Sequence, residues 1–310
     1  MIKVVFSHGE FDSPPVNNGL IYHYCSTEAF FNIIKTGKIR LGDLKSMNDP
    51  SELSLQEINI GKMIYDEYSK NPFPFQIENN GVALKMANFL MPYEMDYKIT
   101  RAGKYTNLFF ALCFSTKEND LMQWRLYSDN GKGVCLGFNR KTIQKYISQD
   151  PNFSLITVKY KSIKEVVENI AKDSLMEIKK LYESHEIEKL KEYRLNLSKK
   201  LIKEWPKYKV CDYKSENEQR LVYKLHNNQV FSNVNSADLK VEDFLDVDIK
   251  VKDGELQLFK EIPIKELGLT SITLGPLNNT SKDCLNILLG KYNITIPSAS
   301  IYKSFIPYRK

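Results

Sequence analysis

The pattern of apolar and polar positions is clearest in the middle of the chain, from Cys113 to Phe138. An apolar run ends there at Ser115, and Glu118 follows three residues later, which is the form of a capping box. This pair predicts a helix that begins at Ser115. An Asn-Gly turn at residues 130–131 and an alternating apolar pattern up to Phe138 then predict a second strand. The stretch is therefore expected to fold as strand, helix, turn and strand.

Strand and helix signals also alternate near the start of the chain. Residues 20–25 have the composition of a strand, and Ser26 is placed to cap a helix that Gly37 would end. Residues 39–41 predict a further short strand. Residues 52–105 have a mostly helical but irregular pattern that prolines interrupt. We interpret them as a helical side segment or lid.

A long charged segment runs from residue 161 to residue 209, with one proline and no glycine. It contains 13 basic and 9 acidic residues, and its apolar residues recur at about helical spacing. The pattern predicts a charged helical insert, a pair of helices that protrudes from the sheet. Two interpretations stay open for it: a surface that faces a nucleic acid, or an ordinary solvated amphipathic insert.

Strand character returns after the insert, at residues 211–223. Glu216 and Glu218 lie two positions apart there, and on a strand this spacing directs both carboxylates to the same face. Residues 253–254 predict a hairpin turn, and Thr280 is placed to cap a late helix. The last third of the chain is thus predicted to mix strands and helices.

The order of these elements shows no regular alternation of strand and helix. It predicts an α+β fold with a mixed or antiparallel sheet, peripheral helices and the helical insert. We expect one domain over residues 1–310, with its sheet core built from residues 20–160 and 210–310. Neither a GxGxxG motif nor a P-loop occurs, so the sequence does not support the nucleotide-binding folds that carry them.

The composition narrows the class of protein only slightly. The chain has 310 residues, 26% of them charged and 42% hydrophobic, as in ordinary globular proteins. A formal net charge of +6 is compatible with a nucleic-acid partner without requiring one. The five cysteines are scattered and the four histidines form no metal-binding motif, so neither a disulfide framework nor a metal site is expected. Because the start is unlike a signal peptide and no apolar run approaches ~20 residues, we expect a cytoplasmic protein that does not bind membranes.

Several motifs occur in an order typical of one bacterial family. They are YHYCSTEAFFNIIKTGKIRL, MNDPSE, CFSTKENDLMQWRLYSDNGKGVCLGF, ENEQRLVY and the closing KSFIPYR. Together they resemble the family known as domain of unknown function 2971, from about Leu20 to the C-terminus. The name of that family implies no activity.

The same motifs are similar, more weakly, to ADP-ribosyltransferases of the diphtheria-toxin type. This resemblance implies an ADP-ribosyltransferase-like fold and NAD as a substrate, without a metal. It implies that His23 holds the adenosine-side ribose of NAD and that Phe114 and Tyr127 sandwich the nicotinamide ring. Glu218 would bind the nicotinamide ribose as the catalytic residue, and Glu216 would be the first glutamate of an ExE signature. Neighbours of the matched positions complete the cofactor-binding candidates: Tyr24, Ser115 and Trp124.

These residue types suit the implied chemistry. Cleavage of the nicotinamide–ribose bond passes through an oxocarbenium-like state, which a nearby carboxylate stabilises. Aromatic faces hold a cationic ring, and a neutral histidine can both donate to and accept from ribose hydroxyls. The resemblance thus implies an NAD-dependent ADP-ribosyltransferase, a toxin or anti-phage defence effector that modifies nucleic acid or protein. It also predicts that the matched residues line one cleft: His23, Phe114, Tyr127 and Glu218.

A simpler interpretation exists for each of these residues. His23 would be a strand histidine whose hydrogen bonds are all made within the protein, and Trp124 and Tyr127 would be aromatic residues of the core. Glu218 and Arg220, on alternate strand positions, would form a surface ion pair. The chain would then be a non-catalytic nucleic-acid-binding protein, or a signalling module of a defence system whose cleft has decayed.

Overall fold

The computed structural model describes residues 19–47, 60–79, 81–90, 108–225, 247–252, 254–297 and 300–308. The strands are β1 Leu20–Cys25, β2 Lys38–Asp43, β3 Gln76–Asn79, β4 Val82–Lys85, β5 Leu108–Ser115, β6 Val134–Asn139, β7 Phe153–Thr157, β8 Lys159–Tyr160, β9 Tyr208–Lys209, β10 Glu218–Leu225, β11 Asp248–Lys252, β12 Glu255–Pro263, β13 Leu269–Leu274 and β14 Ile301–Lys303. The helices are α1 Thr27–Thr36, α2 Ile60–Lys70, α3 Met86–Leu90, α4 Leu121–Tyr127, α5 Arg140–Ile147, α6 Ile163–Glu183, α7 Ile187–Glu204, α8 Ile264–Leu267 and α9 Lys282–Lys291. The predicted α+β class is confirmed.

The central sheet has ten strands and splits along β5. Its main order is β11-β12-β2-β5-β1-β6-β13-β14, and β10 pairs with β5 and with β7. All pairs are antiparallel except β13 with β14. β10 follows one edge of β5 along its whole length. The other edge is shared, because β2 pairs with Phe110 and Ala111 while β1 pairs only with Ser115. Between these two contacts the sheet opens.

Apolar residues cover both faces of this sheet. Successive side chains of a strand point to opposite faces, and Phe110, Leu112 and Phe114 of β5 pack in one core cluster with α1, α5 and α9. Phe109 and Ala111 pack in a second cluster with α2, α6 and α7. The sheet therefore lies between two helical layers, as an element that is apolar on both faces requires.

The first helix follows its sequence signals. The hydroxyl of Ser26 accepts a hydrogen bond from the amide of Ala29, and Gly37 ends the helix with a φ of 65°. The predicted apolar face of α1 is buried. The Asn-Gly turn is also confirmed, since Asn130 and Gly131 have φ values of 50° and 82°. None of the described helices combines the length and apolar character that crossing a membrane requires.

The helix after β5 begins later than the capping box predicts. α4 starts at Leu121, where the Asp120 carboxylate accepts from two backbone amides. Ser115 instead ends β5, and Glu118 does not reach back to it. The Glu118 carboxylate accepts from the hydroxyls of Tyr22 at 3.1 Å and Thr273 at 3.3 Å. The capping-box prediction is wrong because long-range partners occupy the Glu118 side chain.

The charged insert forms two helices, α6 and α7, but they do not protrude. Their apolar residues pack in the second core cluster against β5, β10 and α2. Seven lysines of the insert also pair with glutamates three or four residues away in the sequence. The insert is thus a packed amphipathic layer, and much of its positive charge is locally balanced.

The segment at residues 52–105 is only partly helical where it is described. Between α2 and α3 the strands β3 and β4 form a hairpin that the sequence analysis did not predict. Phe75, just before this hairpin, packs on Phe89 and on Tyr182 of α6, with ring centroids 5.1 Å and 4.9 Å away. Most of the MNDPSE motif lies outside the described residues. The extent of a single domain over residues 1–310 stays a prediction.

A smaller correction concerns the cap of the late helix. The hydroxyl of Ser281, and not that of Thr280, accepts from the amide of Cys284 at the start of α9. The amide of Thr280 instead donates to the side chain of Asn278 at 2.9 Å. Thr280 and Ser281 are both suited to cap a helix, so the sequence does not distinguish them. The bond from Thr280 to Asn278 places Thr280 in the preceding turn and leaves Ser281 as the cap.

Candidate functional site

A cavity of about 340 Å³ opens where β1 and β2 separate along β5. Residues of β1, β2, β5, β10, β11 and β12 line it, together with α4 and the turn before β10. Its volume is in the range of small-molecule sites. The split in the sheet therefore creates a concave site that is bounded mainly by regular elements.

Seven of the eight residues proposed from the sequence line this cavity: His23, Tyr24, Phe114, Ser115, Tyr127, Glu216 and Glu218. Trp124 is absent from its wall. These residues are far apart in the sequence, and the antiparallel register of β1, β5 and β10 brings them together. Their individual geometries differ from what the resemblance implies.

His23 lies on β1 at the point where β1 leaves β5. Its Nδ1 donates to the carbonyl oxygen of Cys113 at 2.9 Å, so the side chain takes the place of a ladder hydrogen bond at the split. Burial lowers the pKa of His23, and the bond to Cys113 opposes this shift only in part, so the ring is neutral at pH 7. A neutral ring that donates from Nδ1 has its acceptor lone pair on Nε2. His23 can therefore accept from a ligand hydroxyl, but it cannot also donate to one.

Glu216 is buried and joins several elements of the site. Its carboxylate accepts from the hydroxyl of Tyr127 and, at 2.7 Å, from Nζ of Lys209. Its backbone carbonyl accepts from the hydroxyl of Ser115 at 3.0 Å and from Nε2 of the Gln123 side chain at 3.2 Å. Burial and the Glu216 carboxylate raise the pKa of Tyr127 well above its ordinary value, so this hydroxyl stays protonated.

Glu216 and Glu218 do not lie on one strand face. Asn217 has a left-handed backbone with a φ of 48°, so β10 begins only at Glu218 and Glu216 ends the preceding turn. The expectation from strand periodicity is therefore wrong. The two carboxylates still share a cation, because Nζ of Lys209 is also 3.4 Å from Oε2 of Glu218.

Glu218 and Arg220 form a buried ion pair on β10. Nε of Arg220 is 2.6 Å from Oε1 of Glu218, and its Nη2 is 3.1 Å from Oε2. Both side chains are at most 5% exposed, so the expectation of a surface pair is wrong. Burial alone would raise the pKa of Glu218, but the charges of Arg220 and Lys209 hold it below its ordinary value. The carboxylate is ionised at pH 7.

Phe114 and Tyr127 do not face each other across the cavity. The Phe114 side chain packs in the first core cluster, with its ring centroid 6.3 Å from that of His23. Tyr127 packs on the opposite face of the sheet, near Tyr24. Ser115 bonds to Glu216 on the cavity side, and its neighbour Phe114 points to the other face of the strand. The rings of Phe114 and Tyr127 therefore cannot sandwich a ligand.

Trp124 and Tyr24 fix the local structure. Trp124 is fully buried, and its indole nitrogen donates to Asn119 at 2.9 Å. Tyr24 meets the Trp124 ring edge-on at 4.9 Å, and its hydroxyl bonds to the backbone of residues 117–120. Both residues hold the loop between β5 and α4 in place. Tyr24 also lines the cavity.

Sequence reasoning missed Lys209 and wrongly placed Arg220 at the surface, although both cations pair with Glu218 inside the protein. Lys209 follows the lysine-rich insert, where its charge is one among many and carries no distinct signal. Arg220 was considered as a surface residue. The apolar residues that follow it, Leu221 and Val222, were the sign in the sequence that it would be buried. Buried arginines are paired as a rule, so this run could have indicated an interior pair.

A second set of missed residues lies at the cavity mouth. Arg40 on β2 and Lys250 and Lys252 on β11 line its outer wall. Nothing in their local sequence distinguishes them from ordinary strand-surface residues. Within the described part of the chain, no cluster of three or more His, Cys, Asp or Glu side chains is placed to hold a metal ion.

The ion-pair network lies within a segment that matches a known family. Residues 123–221 match the model of the family described as Protein of unknown function (DUF2971). This segment belongs to DUF2971. The predicted family is confirmed over these residues, and the DUF2971 segment contains Tyr127, Lys209, Glu216, Glu218 and Arg220. Comparison with curated proteins and with solved structures gave no match.

Proposed function

We propose that this chain is an NAD-dependent ADP-ribosyltransferase whose active centre is the cavity at the split of the sheet. The observation that carries the proposal is the convergence of His23, Tyr127 and Glu218, from three separate elements, on that cavity. The acceptor of the ADP-ribosyl group would be a nucleic acid or a protein. The proposal combines this geometry with the sequence resemblance described above.

Glu218 would stabilise positive charge on the nicotinamide ribose. Its depressed pKa keeps the carboxylate anionic at pH 7, and a buried anion interacts strongly with charge that develops beside it. Arg220 and Lys209 already bond to this carboxylate. Binding of a ribose hydroxyl would therefore displace the weakest of these contacts, which is the 3.4 Å contact from Lys209.

Tyr127 would hold the nicotinamide ring from one side. Its ring is half-buried at the cavity wall, and the bond from its hydroxyl to Glu216 fixes the ring orientation. Stacking of a cationic ring on tyrosine contributes on the order of 0.5–2 kcal/mol. Nε2 of His23 would accept from a ribose hydroxyl. In this arrangement Phe114 supports the His23 ring edge-on and does not contact the ligand.

The experiment is incubation with NAD labelled in the adenine moiety, with DNA, RNA and protein supplied as acceptors. Wild type is expected to release nicotinamide and to transfer label. Glu218→Gln should lower the rate at least about 100-fold, because it removes the charge that stabilises the transition state. Absence of both nicotinamide release and label transfer in the wild type would contradict the proposal.

Tyr127 offers a paired comparison, because Tyr127→Ala and Tyr127→Phe both remove the hydroxyl bond to Glu216 and differ only in the aromatic ring. Tyr127→Ala should raise KM for NAD about tenfold, because the stacking face is lost. Tyr127→Phe keeps the face and should stay within about threefold of wild type in KM. Equal KM values for these two variants would argue against a ring-stacking role. Circular dichroism of each variant, Glu218→Gln included, separates loss of activity from loss of fold.

A second candidate function is a signalling module that binds a nucleotide without turning it over. The observation that favours it is that Arg220 holds both oxygens of Glu218. A carboxylate in such a pair is a structural element in many proteins. Saturable NAD binding without nicotinamide release, at any acceptor, is the result that this second function predicts.

A further inference from the structure

The mouth of the cavity carries cations on one face of β2 and β11. Lys250 and Lys252 are two positions apart on β11, so their side chains point to the same face, about 6.6 Å apart along the strand. Gln257 lies opposite Lys250 in the ladder and also lines the cavity. Arg40 of β2 lines the same wall. Asp43 of β2 also lines the cavity, so three cations face one carboxylate and this end of the cavity is positively charged.

This positive charge is not neutralised in the way that the insert lysines are. Neither Lys250 nor Lys252 forms an ion pair with another described residue, although Glu255 lies opposite Lys252 in the ladder. Arg40 is partly neutralised by Glu261, with Nε 3.2 Å from Oε1. Burial lowers the pKa of Lys250, and the charges of Lys252 and Arg40 lower it further. Lys252 and Arg40 therefore lie close enough to Lys250 to disfavour its charged form.

The base of the cavity carries no such excess of positive charge. The buried carboxylates of Glu216 and Glu218 are paired there with Lys209 and Arg220. An excess of cations at the mouth and a charge-balanced network at the base give the cavity a direction. A ligand with a phosphate end and a neutral or cationic end would place the phosphate at the mouth.

We propose that Lys250 and Lys252, together with Arg40, form a phosphate-binding rim of the cavity. The proposal rests on the proposed function in treating this cavity as the ligand site. Lysine ammonium groups bind phosphate as point charges, and arginine adds a planar donor pair. The phosphate belongs either to the diphosphate of NAD or to the phosphodiester backbone of a nucleic-acid acceptor. The ligand chemistry is the same in both cases.

The test compares two double variants that remove the same charge. Lys250→Gln/Lys252→Gln changes the rim, and Lys164→Gln/Lys265→Gln removes two exposed lysines elsewhere. Equilibrium binding is measured for NAD, for phosphate-free nicotinamide riboside and for a short single-stranded DNA, each at low and at high salt. Thermal unfolding checks that all variants are folded.

The rim variant is expected to lose at least about tenfold in affinity for NAD or for DNA, with riboside binding unchanged, since bonds to charged groups are among the stronger ones. A loss of affinity for NAD assigns the rim to the diphosphate of NAD. A loss of affinity for DNA assigns it to the backbone of a nucleic-acid acceptor. The proposal is overturned if the wild type binds neither phosphate probe, if the rim variant binds both as tightly as wild type, or if the matched control loses as much. Rim-dependent binding without nicotinamide release would contradict the proposed function and leave the rim intact.

Discussion

Arg220 holds both oxygens of the Glu218 carboxylate inside the sheet, with Nε 2.6 Å from Oε1 and Nη2 3.1 Å from Oε2. The pair lies on one face of β10, and Lys209 adds a second cation to it. The same carboxylate lines the cavity. One side chain therefore belongs both to the core of the fold and to the candidate site.

Loss of Arg220 should destabilise the protein strongly. Arg220→Met would leave Glu218 with only Lys209 as a cation, at 3.4 Å, and removal of one partner of a buried pair costs about 3–5 kcal/mol. Chemical unfolding measures the change. Lys38→Met is the control, because its pair with Glu261 is exposed and contributes at most ~1 kcal/mol. If both variants lose the same free energy of unfolding, the Glu218–Arg220 pair does not stabilise the protein as a buried pair would.

The stability of the protein should depend on pH through Glu218. Its folded-state pKa lies below the unfolded value of about 4.5, so its contribution is fully present above that pH and is lost as the pH falls through the folded-state pKa. Urea unfolding between pH 7 and pH 3 should show a steeper acid loss for wild type than for Glu218→Gln. If the stability of the two proteins falls in parallel with pH, the pKa of Glu218 is not depressed in the folded state.

The protonation state of His23 follows from its bond to Cys113. Burial lowers its pKa below the ordinary value, so the ring should be neutral at pH 7 with the proton on Nδ1. Nitrogen-15 NMR of the imidazole distinguishes this tautomer from the others. A ring with both nitrogens protonated at pH 7 would remove the acceptor that the proposed ribose contact needs.

Trp124 should matter for stability and not for the ligand. Trp124→Ala leaves a cavity in the core and should cost about 3–5 kcal/mol. Trp124→Phe fills most of that space, and its rate of nicotinamide release should stay within about threefold of wild type. A large change in KM for NAD in a folded Trp124→Phe protein would instead place this ring in the ligand site.

Local signals predicted the elements whose partners are near in the sequence. Ser26 and Gly37 delimit α1 because a cap needs only the adjacent backbone. Ser115 and Glu118 have the same local form, yet Tyr22 and Thr273 take the Glu118 carboxylate and the helix begins at Asp120. A capping signal decides a helix start only where no distant group competes for the side chain.

The site itself shows the same division. The sequence by itself determined the α+β class, the strand and helix around residues 20–37, and the residue types His23, Tyr127 and Glu218 as candidates for one site. Only the tertiary structure decided that Phe114 points away from Tyr127, that Glu218 pairs with Arg220, and that Lys209, Lys250 and Lys252 border the cavity. The reason is physical: the faces and partners of these side chains depend on how β5 is shared by β1, β2 and β10, and strand pairing over such distances leaves no local trace in the sequence.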